Sequence, residues 1–177
     1  MHADDEVYLS APTLGDRLAV WVATGLGIGL VAPAPGTIGG LWGLLLIPAV
    51  TSLDHMGAQI GVALLLAAIA APICGAAARA LGASSDPGAI VLDEIVALPI
   101  VFIGIPAPNW PTIAAGYLLF RLCDICKPGL AREAEKLPGG LGIVADDFLA
   151  AVLACLLLHG AQWLDHATGL AWLTTSA

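Results

Sequence analysis

Charge is scarce in this chain, and positive charge scarcest of all. Only 11% of the 177 residues are Asp, Glu, Lys or Arg, and just six are basic: Arg17, Arg79, Arg121, Lys127, Arg132 and Lys136. Soluble domains carry about a quarter charged residues, so there is too little charge here to clothe an ordinary water-facing surface. The formal net charge of −8 argues against a nucleic-acid partner, because nothing would neutralise a phosphate backbone. Histidine is limited to His2, His55, His159 and His166, in the N-terminal tail or at predicted outer ends, where imidazole chemistry is a poor expectation. The four cysteines, Cys74, Cys123, Cys126 and Cys155, sit in apolar runs and read as free buried thiols. Cys123-Asp124-Ile125-Cys126 has zinc-like spacing but no second Cys/His pair nearby. There is no internal repeat and no low-complexity linker. The apolar stretch 18–31, followed by Ala32-Pro33-Ala34, is faintly like a cleaved leader, yet the residues before it are acidic where a leader is basic.

What is present in excess is apolar surface. The chain is 59% hydrophobic, with a mean hydropathy of +0.92. One small soluble core would not absorb so much of it, and bilayer is its natural solvent. A soluble bundle of unusually greasy helices is the weaker alternative. After a polar tail over 1–17, a single helical domain is expected over 18–177. Apolar stretches fall at 18–31, 39–53, 57–80, 89–105, 110–123 and 141–164, several shorter than the ~20 residues of an upright span. Alanine and leucine in runs such as 62–71 favour helix over strand, and the many small residues suit close packing of helices in lipid. The expected fold is all-α: a polytopic membrane protein of about five transmembrane or partly re-entrant helices, preceded by an interfacial N-terminal helix. Turns are marked by Pro33-Ala34-Pro35-Gly36-Thr37, by Pro106-Ala107-Pro108-Asn109 and by Pro138-Gly139-Gly140. Asp86-Pro87-Gly88 reads as a helix start, with Asp86 as N-cap and Pro87 at the first helical position.

If 18–31 does not cross, the remaining five segments place all six basic residues on one side, which the positive-inside rule makes the cytoplasm. The same topology gathers the polar motifs at that side. Asp93 and Glu94 are expected about two turns into an apolar helix, and Asp146 and Asp147 early in the last long one. Ionised carboxylates there need a wet cavity or a cation; placement on a helix dipole is the plainer account. Arg121, Asp124 and Lys127 recur every three residues, a helical stripe that reads either as a snorkelling salt-bridge ladder or as a phosphate clamp beside a metal ligand. Hard oxygen donors without histidine favour Mg²⁺ over zinc. Thr37 and the amides around Gly36 are candidates to touch phosphate, with a purely structural turn equally open.

At these residues the chain resembles the phosphatidylglycerophosphatase A family. The matching stretches are Pro33-Ala34-Pro35-Gly36-Thr37-Ile38-Gly39, Asp86 through Val96, Phe120-Arg121-Leu122-Cys123-Asp124-Ile125-Cys126-Lys127-Pro128, and Gly139 through Asp147. The resemblance implies a Mg²⁺-dependent enzyme of the bacterial inner membrane that hydrolyses phosphatidylglycerophosphate to phosphatidylglycerol and phosphate at the cytoplasmic face. By that match Asp93, Glu94, Asp124, Lys127, Asp146 and Asp147 are the expected catalytic positions. Glu94, Asp124, Asp146 and Asp147 would be metal ligands, and Arg121, Lys127 and Thr37 phosphate contacts. The family usually continues after the Lys-Pro pair with Trp-Pro-Ile, whereas this chain reads Gly129-Leu130-Ala131, and Leu137-Pro138 stands where a more polar approach to the glycines is common.

Three rivals are weighed. A small helical transporter would also bury carboxylates for ion coupling, but the chain lacks the repeats such proteins often carry. A membrane scaffold explains the glycines and not the paired acids. Cys126 and Arg132 have the Cys-x5-Arg spacing of cysteine-dependent phosphatases, with only one glycine in the intervening loop and no flanking His or Ser/Thr.

Overall fold

The computed structural model describes residues 13–83, 87–127 and 129–173; His2 and Asp86 lie outside them. Among the described residues the chain is all helical. Helix α1 (Leu14–Ala23) starts inside the stretch read as polar tail, because Thr13 and Asp16 form a reciprocal capping box. Gly27, with φ +89°, then turns the chain into the single-turn α2 (Ile28–Val31). The expected segment 18–31 is therefore two pieces. Pro35 opens α3 (Pro35–Gly39), which runs through a 3₁₀ stretch, Gly40–Leu46, into α4 (Ile47–Thr51). Pro48 stands where the 3₁₀ stretch passes into that last piece, its fixed φ compatible with helix and its missing N–H one fewer bond at the junction.

Among the described residues two helices are long and apolar enough to cross a membrane: α5 (Met56–Ala80) and α9 (Gly140–Thr168). They run antiparallel, since Gly75 meets Gly140 at one end while Met56 and His159 both lie against Gly104 at the other. The contact at the first end is backbone to backbone: a Cβ on Gly140 would fall 1.8 Å from the carbonyl oxygen of Ala71. Helix α7 (Trp110–Cys126), capped by the Asn109 side chain, packs antiparallel on α9, with Gly116 against Phe102 and Leu158. Phe102, Phe120, Leu98, Val101, Ala154 and Leu158 form the core between them. Outward lie large apolar side chains such as Leu64, Leu65, Leu118, Ile125 and Leu156, the surface a lipid solvent would meet.

The Asp86-Pro87 helix start is corrected at Pro87, which is not helical. The chain over 87–91 is irregular, the Val91 amide donates to the Ala23 carbonyl, and α6 (Leu92–Ala97) begins five residues later than expected. A 3₁₀ turn, Leu98–Phe102, then carries the chain across the core. The short α8 (Leu130–Ala134) sits beside the start of α9. At the far end, Asp165 accepts from the amides of Trp172 and Leu173, folding the chain back after Gly169. His55, His159 and His166 lie at that far end, and the six basic residues lie at the other, where α5 and α7 finish and α9 begins.

Candidate active site

Five carboxylates meet at the basic end. Asp93 and Glu94 stand in the first turn of α6 rather than two turns into a helix, Asp124 in the last turn of α7, and Asp146 and Asp147 two turns into α9. All five are buried, with residue exposures of 3%, 9%, 9%, 2% and 4%. Ionised groups are almost never so enclosed unless they are paired. Asp147 lies within Coulombic range of Asp93, Asp124 and Glu94, and its carboxyl meets that of Asp124. The helix dipole favours Asp93, whose Oδ1 accepts from the Glu94 amide at 2.9 Å. It does not explain Asp146 and Asp147, too far along α9 for a dipole that fades within the first turn.

Two cations answer the five acids. Arg121 reaches both Glu94 Oε2 and Asp124 Oδ2 at 2.8 Å. Lys127 is not the next rung of that ladder. Its backbone is left-handed, φ 41° and ψ 61°, as the C-cap of α7, and the reversal sends its ammonium to Asp146 Oδ2 at 2.5 Å, with Glu135 at 3.6 Å. A positive φ is uncommon outside glycine, and here the strained residue carries the charge that closes the site. Burial would push the Lys127 ammonium down, but the hydrogen bond and charge of Asp146, with Glu135 and Asp147, outweigh it and hold the group above its ordinary 10.5. Lys127 is therefore a fixed cation at neutral pH.

Acids outnumber cations, and two oxygens, Asp146 Oδ1 and Asp147 Oδ2, are buried without a hydrogen-bond partner among the described residues. Excess negative charge, orphaned hard oxygens and the absence of imidazole fit a hard divalent cation by donor type. No three acidic, His or Cys side chains among the described residues are already drawn together as a metal cage. Mg²⁺ does not require one, since it is usually bound through one or two carboxylates, retained waters and substrate phosphate.

The turn at Pro33–Thr37 reaches this centre, with the Thr37 side chain exposed. Its carbonyl accepts from the Tyr117 hydroxyl at 2.5 Å, and the glycines on either side lie against Glu94, Gly36 toward Oε1 and Gly40 toward Oε2. Tyr117, Gly40 and Glu135 are site residues that motif reading missed. Tyr117 had a signal, standing one helical turn before Arg121 on α7; Glu135 had none. The cysteines form no part of the centre. None of the four is in a disulfide, but Cys126 is exposed and Cys155 half-buried, against the expectation of four buried thiols; Cys126 faces outward in the last turn of α7.

Fold and centre together define a class: an all-helical enzyme with an apolar exterior and, at one end, a buried set of acids and cations suited to phosphate esters. Known proteins narrow it. The profile of phosphatidylglycerophosphatase A matches residues 21–162. The phosphatidylglycerophosphatase A of Haemophilus influenzae is 39% identical over 80% of this chain and 87% of its own length, and that of Escherichia coli K12 is 32% identical over 80% and 83%. A putative phosphatidylinositol-3-phosphatase of Bacteroides thetaiotaomicron is 34% identical over 83% of this chain and 95% of its own. No solved structure matches the chain significantly. The chain belongs to the phosphatidylglycerophosphatase A family, and is thereby a phosphatase.

Proposed function

We propose that the protein hydrolyses phosphatidylglycerophosphate to phosphatidylglycerol and phosphate at the cytoplasmic face of a bacterial inner membrane, with Mg²⁺ as cofactor. The observation that carries this reading is the convergence of Asp93, Glu94, Asp124, Asp146 and Asp147 with Arg121 and Lys127 at one buried end of apolar helices. In the bilayer, α5, α7 and α9 would cross, with the chain over 35–51 and 92–102 as shorter or re-entrant crossings; α1, with Leu14, Leu18 and Trp21 exposed, would lie in the interface. This keeps all six basic residues inside.

Asp146 and Asp147, through the oxygens that have no hydrogen-bond partner among the described residues, would hold Mg²⁺, with Asp124 and Glu94 completing the acidic wall. The metal's contribution when bound is to neutralise the phosphate and polarise it as a Lewis acid. Lys127, held charged and fixed by Asp146, is placed to stabilise negative charge growing on the phosphoryl oxygens. Arg121 orients Glu94 and Asp124, and its planar fork can move to phosphate when substrate enters. One carboxylate takes the proton of the attacking water as general base while the glycerol oxygen leaves phosphorus and picks up a proton, or itself attacks phosphorus and displaces that oxygen, water then hydrolysing the acyl phosphate; Asp147, the most crowded by like charge, is the candidate for either role. The low exposure of the whole set keeps water from diluting these charges.

The test is phosphate release from phosphatidylglycerophosphate by purified full-length protein in detergent micelles, with Mg²⁺ and then with excess chelator. Release that stops with chelator and returns with Mg²⁺ is expected. Release indifferent to chelator would end the metal reading. A well-folded protein that releases none would end the substrate reading, and the putative phosphatidylinositol-3-phosphatase among its relatives makes phosphatidylinositol 3-phosphate the next lipid to try.

A further inference from the structure

A cavity of about 430 Å³ opens beside the acidic centre, walled by Arg79, Glu135, Lys136, Gly139 and Ile143. None of the five buried acids lines it. Its charge comes mainly from two cations. Arg79, exposed in the last turn of α5, makes no ion pair among the described residues; its charge reaches Asp16, across on α1. Among the described residues Lys136 pairs with Glu133 alone, at 2.6 Å, both well exposed, a contact weak enough to be exchanged for a better anion. Ala78, Ala83 and Leu137 make the rest of the wall apolar.

The cavity adjoins the centre along two routes. Ile143 lines it, and Asp146 and Asp147 follow three and four residues later on α9, one helical turn or roughly 5.4 Å further on. Glu135 also lines it and bonds to Lys127, which bonds to Asp146. A molecule filling both places presents two anionic groups about one to two helical turns apart, with a short polar link between them and an apolar remainder. Two phosphates on the first and third carbons of a glycerol meet that description.

We infer that Arg79 and Lys136 bind the diester phosphate of the substrate lipid while its terminal phosphate enters the acidic centre. This rests on the function proposed above. The cavity then sets selectivity, favouring a lipid with two phosphates over phosphatidic acid, whose single phosphate would leave Arg79 and Lys136 without an anion.

Two measurements on the full chain in detergent test this, with Arg79→Gln, Lys136→Gln and the double variant. The first is binding of short-chain phosphatidylglycerol, which carries only the diester, against short-chain phosphatidylcholine. Wild type should prefer phosphatidylglycerol, and the double variant should bind it about tenfold or more weakly, the effect of losing charge-assisted contacts, while Asp147→Asn leaves that binding unchanged. The second is initial rate on phosphatidylglycerophosphate and on phosphatidic acid. The double variant should raise KM for the first about tenfold with kcat little altered, and leave the second unmoved. Equal phosphatidylglycerol binding by wild type and double variant, or an equal loss on both substrates, overturns the assignment. If wild type hydrolyses neither lipid while its phosphatidylglycerol binding still depends on Arg79, the cavity stands and the proposed reaction falls.

Discussion

Gly36 lies directly against the carboxylate of Glu94. A Cβ on Gly36 would fall 2.0 Å from Oε1 and 2.8 Å from Cδ, far inside van der Waals contact. Gly40 approaches the same group, its Cβ position 2.9 Å from Oε2. The turn at Pro33–Thr37 is thus a cover for one carboxylate, tied to α7 by the Tyr117 hydroxyl. Gly36→Ala is expected to displace Glu94 and lower kcat on the order of 100-fold, as small misplacements in an active site do. Gly61→Ala, on α5 where nothing lies within 4 Å, should leave rate unchanged. Phosphate release by the two variants, at matched helicity, checks this.

Tyr117→Phe removes the hydroxyl bond to Thr37 and keeps the ring. The expected outcome is a fold of unchanged stability within about 1 kcal/mol, the ordinary worth of one hydrogen bond, with a looser cover. Faster hydrogen exchange at the amides over 35–40, unaccompanied by change in α9, would be the signature.

The backbone contact between α5 and α9 predicts a severe packing variant. Gly140→Ala sets a Cβ 1.8 Å from the Ala71 carbonyl oxygen and 2.6 Å from the Gly75 amide nitrogen, with backbone on both sides and no flexible end to give way. Overpacking of this kind costs about 1–3 kcal/mol, and the thermal midpoint in detergent should fall accordingly. Gly160→Ala on the same helix meets nothing within 4 Å and should not lower it.

Lys127 combines a strained backbone with a buried partner. Lys127→Ala leaves Asp146, 2% exposed, without its cation, a loss of about 3 kcal/mol for a broken buried pair, and removes the charge that would face phosphate. Activity should fall on the order of 100-fold or more, as when a donor to developing charge is lost. Lys127→Gly relieves the left-handed strain and loses the same charge. If both variants are equally inactive while the glycine variant is the more stable, charge and conformation are separated; a fully active Lys127→Gly would remove the residue from catalysis.

Cys126→Ser should be indistinguishable from wild type in rate. The thiol is exposed, away from the acids, so a cysteine mechanism has no enclosed site to work in. Complete loss of activity in a folded Cys126→Ser protein would reverse that conclusion.

Much of this centre was legible in the chain because buried charge is conspicuous in an apolar sequence. Asp93, Glu94, Asp124, Asp146 and Asp147 stood out against long runs of Ala, Leu and Val, and an all-helical fold followed from the same runs. Boundaries were harder. The start of α6 was misread because Asp86-Pro87 has good capping chemistry, yet the Val91 amide is taken up by Ala23 across the fold, a tertiary bond no local pattern announces. The stripe through Arg121, Asp124 and Lys127 assumed helix to the end, and the left-handed turn at Lys127 broke it. Gly36, Gly40 and Glu135 gain their meaning from contacts across the fold, to Glu94 and to Lys127.

The gathering of all six Lys and Arg at one end of the bundle has a consequence for biogenesis. The charges that would fix which way the chain is threaded during insertion include the two that hold the acidic centre in order. Orientation and catalysis are then written in the same residues, and a variant that neutralises Arg121 or Lys127 weakens the address as well as the machine. A molecule inserted upside down would present its centre, and all six of its cations, to the opposite side of the membrane.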